Sequence, residues 1–106
     1  MSDFLKATEN QVLRNQLLEL LQEAGPDGAN EKVIGFAMNK AGYKVAPEQI
    51  RNNLYYLKQK GLIWVAECNN KALGIHMEVY IITPDGIDVL EGSKEVPGIE
   101  VGSYGG

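Results

Sequence analysis

Cysteine is nearly absent from this sequence. Cys68 is the one thiol among 106 residues, so no disulfide can form within the chain, as suits a reducing compartment such as the cytoplasm. Histidine also occurs once, as His76. A single cysteine and a single histidine cannot supply the Cys/His cluster that metal sensing needs, so neither a metal nor a cofactor is expected. Long apolar runs are missing as well. No stretch approaches the roughly 20 residues that span a bilayer, and residues 1–11 lack a basic region followed by an apolar one, so neither a membrane span nor a signal peptide is expected. The motifs of enzymes are missing too. There is no phosphate-cradling glycine loop before a helix, no HExxH, and no Cys–His or Ser–His–Asp grouping, while Asp85 and Asp88 suit a solvated helix.

Positive charge is in deficit. Ten Lys and Arg face fourteen Asp and Glu, for a net charge of −4, which opposes attraction to phosphate over the chain as a whole. The distribution is uneven, however. Residues 31–60 hold six basic groups (Lys32, Lys40, Lys44, Arg51, Lys58, Lys60) against Glu31 and Glu48, a local +4, whereas the flanking thirds carry −3 and −5. The basic middle is therefore the place to look for a partner of negative charge.

What remains is an ordinary globular composition, 44% hydrophobic and 23% charged, and a length that suits one domain with a modest core. Leu13, Leu17, Leu20, Leu21 and Ala24 recur at the spacing of one helical stripe, in a helix that starts as early as Ser2 or Asp3 and stops at Gly25-Pro26. Asn30 is placed to cap a second helix, about Glu31 to Ala41, with Val33, Ile34, Ala37, Met38 and Ala41 as its apolar stripe and Gly42 at its end. Only Gly42 to Ala46 separate this from a third helix, which opens on Pro47 and ends before Gly61, with Ile50, Leu54 and Leu57 facing the core. The period then changes to that of strands, Leu62–Cys68 and Glu78–Ile82, around a hairpin tip at 69–76. Thr83-Pro84-Asp85 starts a short last helix. Residues 1–92 thus form one domain, and the glycine-rich residues 93–106 read as a flexible C-terminal tail.

Helix, helix, short turn, helix, hairpin and short helix is the order of a winged helix-turn-helix, an α+β fold with three helices, a β-hairpin wing and a C-terminal helix. The run Ile50, Leu54, Leu57, Gly61, Leu62, Ile63 resembles the recognition helix and first wing strand of MarR-, PadR- and ArsR-like regulators. Ile82-Thr83-Pro84, Gly86 and Leu90-Glu91-Gly92 resemble their exit from the wing. The likeness covers about residues 11–92. A narrower one is to small winged-helix proteins of Mu-like phages and prophages, carried by Leu13-Arg14, Asn30-Glu31, Pro47-Glu48-Gln49-Ile50-Arg51, Leu90-Glu91-Gly92, Lys94 and Pro97. These resemblances imply a transcription regulator that binds double-stranded DNA, in the second case with a role in phage development.

With Ile50 set toward the core and about 100° per residue, Asn52, Tyr55 and Gln59 point outward, with Tyr56 and Glu48 near them. Arg51 and Lys58 line one flank, and Gln49, Asn53 and Lys60 line the other. Asn and Gln can read adenine, Arg can read guanine, and Lys or Tyr can reach phosphate; the same residues also suit the solvated face of any amphipathic helix. Lys71 and His76 flank the hairpin tip as candidate wing contacts. Trp64 is expected in the core or an interface, and Cys68 as a plain strand residue. Phe4, Leu5, Val12 and Leu18 lie off the main stripe of helix 1 and mark it as the expected homodimer surface. A protein partner is the alternative, favoured by the acidic balance and the Tyr55-Tyr56 pair.

Overall fold

The computed structural model describes residues 2–99. Its elements are α1 (Ser2–Ala24), β1 (Ala29–Asn30), α2 (Glu31–Lys40), α3 (Pro47–Gln59), β2 (Ile63–Asn70), β3 (Ile75–Ile82) and α4 (Pro84–Leu90), with a 3-10 turn at Gly25–Asp27 after α1. The three strands form one antiparallel sheet in the order β1-β3-β2. The α+β winged helix-turn-helix architecture expected from the sequence is the one observed. Among the described residues, no helix is long and apolar enough to cross a membrane.

The helix stops and caps follow local chemistry. The Asn30 side chain accepts a hydrogen bond from the Val33 amide at 2.8 Å and so caps α2, satisfying one of the amides that a helix start leaves free. At α4, Thr83 plays the same part for Gly86 at 3.1 Å, and its hydroxyl donates to the Gly61 carbonyl at 2.8 Å. This buried threonine thereby ties the start of α4 to the end of α3. No side chain caps α3 at Ala46, and Pro47 in its first turn needs no amide partner.

One strand was not legible in the sequence. Ala29 and Asn30 pair with Tyr80 and Val79, which turns the hairpin into a three-stranded sheet with β3 in the middle. Gly28 permits it. Its φ is +69°, and a Cβ there would stand 2.5 Å from the Tyr80 carbonyl and 2.7 Å from the Val79 and Ile81 side chains, closer than any side chain can come.

The core gathers Leu13, Leu17, Leu18 and Leu21 of α1, Ile34 and Met38 of α2, Ile50, Leu54 and Leu57 of α3, and Leu62, Ile63, Tyr80, Ile82 and Val89 beyond them. Leu18 is fully buried, whereas Leu20 and Ala24 are only half-buried. α1 lies beneath both the sheet and α4, so its buried arc is wider than a single stripe. Leu18 is therefore unavailable to a dimer surface; Leu5 stays exposed, Val12 is half-buried, and the Phe4 side chain lies outside the described residues. On α2 only Ile34 and Met38 are buried. Val33 and Ala41 of the expected stripe are exposed, and Phe36 is 70% exposed, because α2 packs along a narrow line. Trp64, expected in the core or an interface, is 57% exposed and so does not belong to the core. It shares the outer face of the hairpin with Cys68, since inward Ile63 and Val65 fix the alternation of β2.

The wing is longer than expected. Pairing runs from Ile63↔Ile82 to Asn70↔Ile75, so only residues 71–74 form the turn. Residues 93–99, read from sequence as part of a flexible tail, pack onto the domain. Ile99 is buried, Val96 packs on the core, and the Arg14 and Tyr56 side chains bond the backbone of Gly98 and Pro97. Isolated Val96 and Ile99 found apolar ground that sequence periodicity does not reveal. Residues 100–106 lie outside the described residues.

Candidate nucleic-acid interface

The amphipathic pattern of α3 sets the site. Ile50, Leu54 and Leu57 are buried, and Asn52, Tyr55 and Gln59 on the opposite side are exposed, as the helical projection predicts. Gln59 Nε2 donates to the Tyr55 hydroxyl at 3.1 Å, which couples two of these side chains one turn apart.

Tyr55 is the ridge between two grooves. One, of about 570 Å³, runs between α3 and the wing. Arg51, Tyr55 and Lys58 form its helix wall, and Val65, His76, Glu78 and Tyr80 its wing wall. The other, of similar volume, lies between α1 and α3 and is lined by Lys6, Arg14, Gln49, Asn52 and Gln59 among others.

Arg51 and Lys58 are both exposed, but they differ in partners. Arg51 Nε bonds Glu31 Oε1 at 2.8 Å, an ion pair in which both side chains retain solvent exposure. Such a pair is worth about 0–1 kcal/mol, so it can open when a stronger anion arrives. Deeper in the groove, Tyr80 has its pKa raised from the ordinary 10.0, first by burial, then by the charges of Glu78 and Glu31, with Arg51 opposing them. The groove therefore holds acidic groups as well as basic ones.

The second flank of α3 departs from expectation. Asn53 is only 3% exposed. Its Oδ1 accepts from Arg14 Nε at 2.8 Å, and its Nδ2 donates to the Gln49 carbonyl at 2.8 Å and to Asn10 at 3.3 Å. Polar groups of α1 draw it inward, so it cannot face a duplex. Tyr56 is half-buried, with its hydroxyl on the Pro97 carbonyl at 2.7 Å. Gln49 is half-buried and Lys60 exposed, the latter 5.4 Å from the Tyr56 ring centre. Of the residues read from sequence, Arg51, Asn52, Tyr55, Lys58 and Gln59 thus come together on one surface, with Gln49 and Lys60 at its edge.

On the wing, Lys71 is exposed in the turn and His76 is exposed in β3, beside Asn69 of the facing strand. Sequence reading missed the partners that strand register brings to His76, namely Glu67 and Glu78 on the same ribbon face. It also missed Glu31 beside Arg51, since twenty residues separate the two.

No family model matches the chain, and no curated protein matches it. Among solved structures, the chain is similar to a PadR-like transcription factor from Bacteroides fragilis, at 18% identity and a TM-score of 0.74, over 85% of this chain and 84% of that one. At that identity the likeness concerns the fold, which is the winged helix-turn-helix.

Proposed function

We propose that this protein is a DNA-binding regulator that reads duplex DNA with α3 while the β2–β3 wing follows the neighbouring backbone. The observation that carries the reading is the exposed row Asn52, Tyr55 and Gln59 with Arg51 and Lys58 beside it. It lies on the second helix of the helix-turn-helix, the element that enters the major groove in proteins of this architecture. The amide side chains match the adenine edge, Arg51 the guanine edge, and Lys58 the phosphates. The similar fold of a PadR-like transcription factor supports the reading. Two copies pair through the exposed start of α1, where Leu5 remains uncovered, and a dimer would address two half-sites about 34–36 Å apart.

The test is duplex binding by fluorescence anisotropy between about 50 and 200 mM salt. Counterion release predicts a steep loss of affinity, roughly 0.9 in log K per log salt for each phosphate neutralised. Absent or salt-independent binding overturns the reading. A second reading, a winged helix that binds protein and not DNA, is favoured by exposed Phe36 and Trp64 in a chain of net charge −4. Retention of a protein partner together with no retention on heparin or duplex decides for it.

A further inference from the structure

The wing carries a constellation that chain order hides. Strand register places Glu67 directly opposite Glu78, and Asn69 opposite His76. Side chains alternate along a strand, so Glu67, His76 and Glu78 share one face of the ribbon, the one that carries Val65 and Tyr80 toward α3. One ligand atom from each of the three lies within 4.8 Å of the other two, and all three residues are exposed. We propose that Glu67, His76 and Glu78 form a binding site for a divalent transition-metal ion, with Zn²⁺ as its reference occupant.

Three features support the site. Two like charges directly opposite on adjacent strands repel, and neither Glu67 nor Glu78 has an ion-pair partner among the described residues. A cation between them reverses the sign of that interaction. The His76 ring is also set for ligation. Its Nδ1 meets the Asn69 side chain, and a neutral imidazole that donates from Nδ1 presents the Nε2 lone pair to a metal. The donor set is one imidazole and two carboxylates, which favours Zn²⁺ and its neighbours over Mg²⁺. Bonds of about 2.1 Å in tetrahedral array need donors about 3.4 Å apart, a closure that exposed side chains reach by rotation. Three protein ligands leave the fourth position open to water or to an anion. A bound ion would turn the acidic inner face of the wing toward positive charge, opposite Arg51 and Lys58.

The site is independent of the DNA reading and is tested without DNA. Tag-free protein is titrated with Zn²⁺ by calorimetry, and in parallel the imidazole nitrogens are followed by NMR, where the single histidine makes assignment direct. Saturable one-to-one binding is expected, with the resonance of Nε2 moving more than that of Nδ1. His76→Ala and the double variant Glu67→Gln, Glu78→Gln should each weaken it roughly tenfold or more. Cys68→Ser should leave it unchanged, because that exposed thiol lies on the other face of the ribbon. Binding that survives His76→Ala, binding that disappears in Cys68→Ser, or no saturable binding overturns the proposal.

Discussion

The Arg14 guanidinium lies over the Tyr56 ring, 3.6 Å from its centre. The same arginine donates from Nε to Asn53 and from Nη1 to the Gly98 carbonyl, at 2.8 and 2.9 Å, while Tyr56 donates to Pro97. One side chain of α1 therefore fastens both the buried side of α3 and the C-terminal segment. Burial lowers the Arg14 pKa from its ordinary value, partly opposed by Tyr56, yet an arginine remains charged throughout the working range.

Arg14→Met should destabilise the domain by about 1–3 kcal/mol, since it strands the Asn53 oxygen in a buried position. Arg14→Lys should recover only part of this, because an ammonium lacks the planar fork that serves two acceptors and a ring at once. Urea unfolding of the three proteins measures the order.

Gly98→Ala should release the C-terminal segment. Its φ is +88°, and a Cβ would collide with the Tyr56 hydroxyl and press on Arg14. The left-handed conformation alone costs an alanine about 1–2 kcal/mol. The amide of Ile99, which bonds the Val96 carbonyl at 3.2 Å, should lose hydrogen-exchange protection before the amides of α3 do.

Asn52→Ala and Asn53→Ala should separate cleanly although the residues are adjacent. The first removes an exposed group and should weaken duplex binding with the melting temperature little changed. The second breaks the buried contacts with Arg14, Gln49 and Asn10 and should lower the melting temperature by several degrees. Calorimetric melting and anisotropy on the same pair of variants check both halves.

Glu31→Gln should strengthen duplex binding severalfold at low salt, by freeing Arg51 from its 2.8 Å ion pair and removing a negative charge from the groove. Arg51→Ala should weaken binding by about 1–3 kcal/mol, the worth of a base contact, with the salt dependence little changed. Titration of both variants against one duplex, at two salt concentrations, tests the pair.

Alkaline pH should expose the role of Tyr80. Its folded pKa is raised above 10.0 by burial and by Glu78 and Glu31, so the folded state holds this proton more tightly than the unfolded one. The resulting stability is fully present below about pH 10 and is lost as pH rises through the folded value. Melting temperature followed from pH 8 to 11.5 should fall less steeply in Tyr80→Phe than in the parent.

Much of the fold was legible because its signals are local. Asn30 and Thr83 announce their helices by hydrogen bonds that reach only three residues along the chain, and Ile50, Leu54 and Leu57 repeat within one helix. The exposed face of α3 follows from that same repeat. Asn53 was misread because the projection of α3 says nothing of Arg14 and Asn10 on another helix. Val33 and Ala41 were misjudged by hydrophobic spacing, which reports a preference for burial and not the presence of a neighbour to provide it.

The sequence by itself determined the order of the four helices and the hairpin, the caps at Asn30 and Thr83, and the concentration of basic charge in residues 31–60. These depend on interactions among residues a few positions apart. Only the tertiary structure decided that Glu31 meets Arg51, that Arg14 joins α3 to residues 97–98, and that Glu67, His76 and Glu78 share a face. Each of those is a meeting of separate elements, set by strand register and helix packing, and no period along the chain encodes it.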